Sequence, residues 1–243
     1  MLYLIGLGVG DENDISLKGL EACKKADAVF AELYTACWQG SLKNLEKLTG
    51  RKITVLKRND LEENSEKFVK NASKKDTVLL VPGDPLTATT HLNLLMDARK
   101  HGVAFRVIHA SSILTAIAET GLNLYNFGRT ATVVKPRKNY SPTSFYDTGA
   151  RNKKAGMHTL FLLDIDMGTP EGLGILMDIE KKKKQGLIDQ ESQAVVASCL
   201  GSDKRKIEYG KVKALLGKPL NPPAVIIIPG KLHFVEKEWL ESL

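Results

Sequence analysis

Long apolar runs are missing from this chain of 243 residues. None reaches the roughly 18 residues that a membrane-spanning helix needs. The first residues open directly in a strand pattern, without the basic leader of an exported protein. Both absences point to a soluble, cytoplasmic protein. Cysteine is scarce: Cys23, Cys37 and Cys199 are odd in number and far apart, with no CxxC or Cys/His spacing. That excludes a disulfide framework and gives no reason to expect a metal. Aromatic residues make up only 6% of the chain, and no RNA-binding signature with interleaved aromatics occurs. The net charge of +7 suits an acidic partner. Its densest run, Lys181 to Lys184, follows a helical pattern at 170 to 180, where a solvated helix end complementing the dipole accounts for it. Nucleic acid is therefore not the expected partner.

What is present is a regular beat of strand and helix. Residues 2 to 8 read as a strand, and Ser16 caps a helix with Leu17, Leu20 and Cys23 near helical spacing. Strands follow at 27 to 33, 53 to 56, 77 to 81 and 103 to 108, with helices at 41 to 48, 61 to 72 and 86 to 100 between them. Such alternation predicts a mostly parallel sheet covered on both faces. After residue 108 a Ser-capped helix runs to about Glu119 before Gly121, and the rhythm loosens. Strands at 130 to 134, 159 to 163, 194 to 199 and 224 to 228 are spaced by longer, more varied segments. Composition and spacing change near 109 to 112 without a flexible linker, so two closely apposed α/β domains are expected, 1 to 110 and 111 to 243.

Two turns are candidates for chemistry. The apolar run 78 to 81 stops at Pro82-Gly83-Asp84-Pro85, an exposed turn at a strand end, where ligands of α/β sheets sit. An Asp there is a candidate ligand contact or an ordinary turn former. The second turn, Gly6-Leu7-Gly8-Val9-Gly10-Asp11, suggests a dinucleotide fingerprint but fails it. The third glycine of GxGxxG is replaced by Asp11, and the next helix starts near Ser16, too late to meet a phosphate. No P-loop occurs either. A glycine loop ending in Asp suits a ligand without phosphate, and S-adenosylmethionine, with its positive sulfonium, meets that demand.

These two segments resemble the tetrapyrrole methylase superfamily, whose fold is two α/β domains around a cofactor cleft. The likeness narrows to the diphthine synthase family through Ala31-Glu32-Leu33-Tyr34-Thr35, Ala88-Thr89-Thr90-His91, Ile108-His109-Ala110-Ser111-Ser112-Ile113, Pro142 to Asp147, Leu162-Leu163-Asp164-Ile165 and Pro229 to His233. It spans essentially the whole chain; Val9 stands where leucine is common, and the segment 166 to 190 is short.

The resemblance implies methyl transfer from S-adenosylmethionine to the amine of a modified histidine on translation elongation factor 2, a step in diphthamide formation, by a homodimer. Carried over residue by residue, Val9, Asp84, Thr87, Ser112 and Ile113 contact the cofactor, and Leu163, Tyr209 and His233 close the cleft from the second domain. No catalytic base is named, because an α-amino group of pKa roughly 8 is already partly neutral at physiological pH. His91, His109 and His158 are candidates to line an acceptor pocket, and Glu32, Tyr34 and Thr35 to meet the acceptor's polar groups. Without the resemblance, Leu163 and Ile113 read as core, Ser112 as a helix cap and His233 as a helix-start residue. A small-molecule methyltransferase and a basic ribosome-associated module are the alternatives. The number of methyl groups transferred is left open.

Overall fold

Period-two alternation accounts for the first half of the protein. In the computed structural model, which describes residues 1–243, five strands form here: β1 (Leu2–Gly6), β2 (Ala28–Glu32), β3 (Ile53–Leu56), β4 (Thr77–Val81) and β5 (Phe105–Ile108). They pair in parallel in the order β3-β2-β4-β1-β5. Successive side chains point to opposite faces, so Ile5, Val78 and Leu80 join one buried cluster with Cys23 and Leu45. Leu2, Leu4, Leu79 and Val81 join another with Leu61, Val69, Leu94 and Leu95. Helices α1 (Leu17–Lys25) and α2 (Leu42–Thr49) cover the first face; α3 (Arg58–Glu62), α4 (Ser65–Ala72) and α5 (Leu92–Lys100) cover the second. Strand β4, flanked by β2 and β1 and covered on both faces, is buried at all five positions. Each of its Leu and Val side chains contributes about 1.5–3 kcal/mol of hydrophobic stabilisation.

Several helices differ from expectation. Ser16 caps α1 by accepting from the Gly19 N–H, but Leu17 is 81% exposed; Gly19, packed near Ile5, takes the buried position. The helix expected over 61 to 72 is broken at Glu63 and Asn64 into α3 and α4. The helix expected from residue 86 begins only at Leu92. The Thr89 hydroxyl donates to the Pro85 carbonyl, and Ala88 takes a positive φ of 56° that no helix continues through.

The chain divides into two compact units, Met1–Ala116 and Ile117–Leu243. The short helix α6 (Ile113–Ala116) closes the first, tied to it by the Ser111 hydroxyl, which accepts from the Val9 N–H at 3.3 Å. In the second unit, β6 (Ala131–Val133), β7 (Thr159–Leu163), β8 (Gln193–Ser198), β9 (Lys206–Lys211) and β10 (Ala224–Ile228) pair in the order β6-β7-β10-β8-β9. Only the β6–β7 pair is parallel. Helices α7 (Ser144–Lys154), α8 (Thr169–Lys183), α9 (Val212–Leu215) and α10 (Phe234–Glu241) complete it. The lysine run ends α8 as a solvated terminus: Lys181 pairs with Asp178, and Lys183 reaches both Asp147 oxygens at 2.7 Å.

Candidate active site

Parallel registration of β1 with β4 and β5 brings three strand ends side by side, with Gly6 opposite Val81 and Ile5 opposite Ile108. Pairing continues beyond the strands. Leu7 N–H donates to the Val81 carbonyl at 2.8 Å, and Gly8 and Gly83 exchange backbone hydrogen bonds of 2.8 and 3.2 Å. The glycine loop and the Pro82-Gly83-Asp84-Pro85 turn are therefore one backbone structure. A Cβ on Gly6 would sit 2.5 Å from the Gly83 oxygen and 2.7 Å from the Ala110 Cβ; one on Gly8, whose φ is +76°, would sit 2.4 Å from the Asp14 Cβ. Gly6 and Gly8 are thus required by the close approach of the protein's own turns, where the sequence suggested room for a ligand. Asp14 completes the loop by accepting from the Gly10 N–H at 2.8 Å.

The turn is not the exposed one expected: Pro82, Asp84 and Pro85 are buried, Asp84 at 6% exposure, and each Asp84 oxygen accepts twice from the protein itself. Oδ1 takes the Leu86 N–H (3.0 Å) and the Thr87 hydroxyl (3.2 Å); Oδ2 takes His109 Nδ1 (2.7 Å) and the Ala110 N–H (3.3 Å). Burial pushes its pKa up, but these hydrogen bonds outweigh burial and hold the carboxyl below the usual aspartate range. Asp84 is thereby an ionised carboxylate that joins the ends of β4 and β5. Ser112 is buried, and its carbonyl accepts from the Ala116 N–H and the Thr115 hydroxyl, both at 2.9 Å; Ile113 starts α6 half-buried. Val9, Asp84, Thr87, Ser112 and Ile113 are therefore all gathered on the three loops that follow β1, β4 and β5.

The charge of these loops is one-sided. Residues 6 to 14, 82 to 91 and 108 to 116 contain no Lys or Arg, while Asp11, Glu12, Asp14 and Asp84 are acidic. A phosphate would find no cationic partner here. A ligand with amino and sulfonium charges and polar nucleoside edges fits this set of carboxylates and turn amides.

Behind the Asp84 turn, Glu32 at the end of β2 is fully buried and accepts from the Tyr34 and Thr35 N–H groups and from the Thr35 hydroxyl at 2.5 Å. Burial raises its pKa, only partly opposed by these bonds. His91 Nε2 lies 3.7 Å from Glu32 Oε1, and His91 Nδ1 lies 3.3 Å from the Pro85 carbonyl. At 2% exposure, His91 supports the turn from beneath, and burial lowers its pKa.

In the second unit, Leu163 ends β7 half-buried against the core. Tyr209 lies in β9 opposite Val195, its phenol pKa raised by burial and by the Glu241 carboxylate. His233 is exposed and caps α10, Nδ1 accepting from the Val235 N–H at 3.4 Å. His158 is a structural latch. Its Nδ1 accepts from the Gly230 N–H at 2.9 Å, which leaves the proton on Nε2, facing Glu236 at 3.2 Å. Glu236 also accepts from Asn123, Asn126 and His233.

Residues 1–216 match the family Tetrapyrrole (Corrin/Porphyrin) Methylases. The chain belongs to this family. Among its relatives, a protein named diphthine synthase from Methanocaldococcus jannaschii is 44% identical over 256 residues, covering 100% of this chain and 98% of its own. A diphthine synthase of Methanococcus maripaludis is 43% identical over 251 residues with the same coverage. A crystal structure of diphthine synthase superposes with a TM-score of 0.89 at 34% identity, covering 99% of this chain and 94% of that one. The two-sheet α/β architecture is thus the tetrapyrrole methylase fold expected from the sequence.

Proposed function

We propose that this protein is an S-adenosylmethionine-dependent methyltransferase that methylates the amine of an aminocarboxypropyl-modified histidine on translation elongation factor 2 to give diphthine. The observation that carries the cofactor assignment is the pairing of the glycine loop with the Asp84 turn into one rigid, cation-free, carboxylate-bearing edge. The full-length likeness to diphthine synthases carries the substrate assignment. When bound, the donor supplies a methyl group already activated on sulfur.

The task of the chain is therefore alignment and exclusion of water rather than strong acid catalysis. Val9, Thr87, Ser112 and Ile113 present turn backbone and short side chains to the cofactor, and the Asp84 carboxylate sets the negative field that favours a sulfonium. The assignment of Leu163 and His233 as further cofactor contacts rests on the resemblance of their segments, and that of Tyr209 on the likeness of the chain as a whole. As the resemblance implies, the protein acts in the cytoplasm as a homodimer. No helix is long and apolar enough to cross a membrane.

Calorimetry with S-adenosylhomocysteine tests the cofactor assignment: one equivalent binds wild type, and Asp84→Ala weakens binding at least tenfold. Absence of binding refutes it. Labelled S-adenosylmethionine offered with elongation factor 2 carrying the modified histidine tests the substrate. Label on a tetrapyrrole instead, the acceptor class in the family's own name, replaces this substrate with a small molecule, and mass spectrometry counts the methyl groups.

A further inference from the structure

Of the 5 histidines, His91 and His158 are buried. His101 follows α5 at the opposite end of the sheet, 3.6 Å from Glu66, and His233 is taken up with its cap. His109 differs from all of them. It is the first residue after β5, on the same edge as the glycine loop, and its side chain is 67% exposed. Its Nδ1 lies 2.7 Å from Asp84 Oδ2. A carboxylate oxygen accepts only, so the hydrogen on that bond belongs to Nδ1, and in the neutral ring Nε2 carries the lone pair. The imidazole is thereby held by a carboxylate through one nitrogen and turned to solvent with the other.

We infer that His109 is the base that deprotonates the acceptor amine, and that Asp84 is its positioning residue. This rests on the methyltransferase reading above. The acceptor reaches the protein largely as an ammonium ion, which has no lone pair for the methyl group. His109 Nε2 takes one proton from that ammonium. The amine lone pair then forms the N–C bond as the methyl C–S bond breaks, its electron pair remaining on sulfur. The new alkylammonium carries one proton fewer to lose before each further methyl, and His109 returns its proton to water each time. Asp84 stabilises the imidazolium while it exists and fixes the tautomer that receives the proton, the two services a carboxylate provides to a histidine base.

The magnitude follows from the acceptor. With an α-amino pKa of about 8, roughly a tenth of the acceptor is neutral at pH 7. A protein without the base must wait for that fraction, so His109→Gln lowers kcat about tenfold at pH 7, and the deficit closes by about pH 9, where the amine arrives neutral. Asn carries its amide nitrogen on Cγ, as His carries Nδ1, so His109→Asn shows the same deficit, keeps a donor for Asp84 and leaves affinity for S-adenosylhomocysteine unchanged. His109→Ala shows the same deficit, and added imidazole restores its rate. Three results overturn the proposal: wild-type kcat in His109→Gln at pH 7, an equal deficit at pH 7 and pH 9, or no imidazole rescue in His109→Ala. The last two would mark His109 as a structural partner of Asp84. If wild type itself transfers no methyl group to the modified histidine, the methyltransferase reading fails and this proposal fails with it, an outcome distinct from an active wild type with unaffected variants.

Discussion

Replacing Gly6 by alanine tests whether the two turns form one structure. Gly6 needs no left-handed backbone, so the whole effect of Gly6→Ala comes from its Cβ, placed 2.5 Å from the Gly83 carbonyl oxygen and 2.7 Å from the Ala110 Cβ. Neither neighbour is the flexible end of a long side chain, so the glycine loop, the Asp84 turn or the segment after β5 must move. Overpacking of this kind costs about 1–3 kcal/mol. Gly50→Ala is the control. Its φ is +65° with nothing near its Cβ, so it carries only the left-handed penalty of about 1–2 kcal/mol. Gly83→Ala stands within the turn itself, at φ +66° with the nearest atom 4.0 Å away. In a chain of this length each kcal/mol lowers Tm by about 2–4 °C. All three variants therefore melt earlier by comparable amounts. Only Gly6→Ala also weakens S-adenosylhomocysteine binding by more than tenfold, a loss of about 1.4 kcal/mol. Thermal unfolding and calorimetry on the same preparations separate the two effects. Unchanged binding in Gly6→Ala, or equal weakening in Gly50→Ala, refutes the claim that the paired turns form the cofactor edge.

The buried carboxylates give two further expectations. The folded pKa of Glu32 is raised by burial, so its contribution to stability is full below the unfolded value of about 4.3 and is lost as pH rises through the folded value. Glu32→Gln keeps an acceptor for Tyr34 and Thr35 and has no proton to lose, so its urea midpoint relative to wild type improves as pH is raised; a pH-independent difference would count against this. Glu236 has the opposite sign: burial raises its pKa, but bonds from His233, Asn123, His158 and Asn126 leave it lowered. Its stabilisation is present above the unfolded value and lost as pH falls through the folded one. Glu236→Ala leaves four donors without their acceptor, the buried His158 Nε2 among them, and costs about 1–3 kcal/mol by denaturant titration; a loss below 1 kcal/mol would deny the latch role.

How much was legible in the sequence differs between the two units. In the first, β3 and β4 begin and end where expected, and β4 is the plainest because a strand buried on both faces needs unbroken apolar sequence. The second hid several elements, β9 and α7 foremost. Strand β9, with Lys206, Glu208 and Lys211 among its six residues, pairs only with β8 at the sheet edge, and an edge strand tolerates charge that blurs its signal. Helix α7 buries Phe145 and Tyr146 but also Gly149 and Asn152, the glycine because Phe161 crowds it and the amide because it bonds Arg129 and Thr159. Neither is an apolar position that periodicity counts.

For the candidate site, the sequence by itself pointed to the class of ligand: a failed phosphate fingerprint, no P-loop, and a turn carrying Asp84. Those are properties of residue type and local order, and they survive without knowing what touches what. Only the tertiary structure decided which groups share a task. Gly8 and Gly83 are 75 positions apart and Asp84 and His109 are 25 apart, yet each pair meets because β1, β4 and β5 are neighbours in the sheet. Strand order follows from how helices pack across the two faces, a long-range outcome that no local pattern encodes. It turned His109 from one candidate among three into a ring held by a carboxylate, and made His158, in the same set of candidates, part of the scaffold.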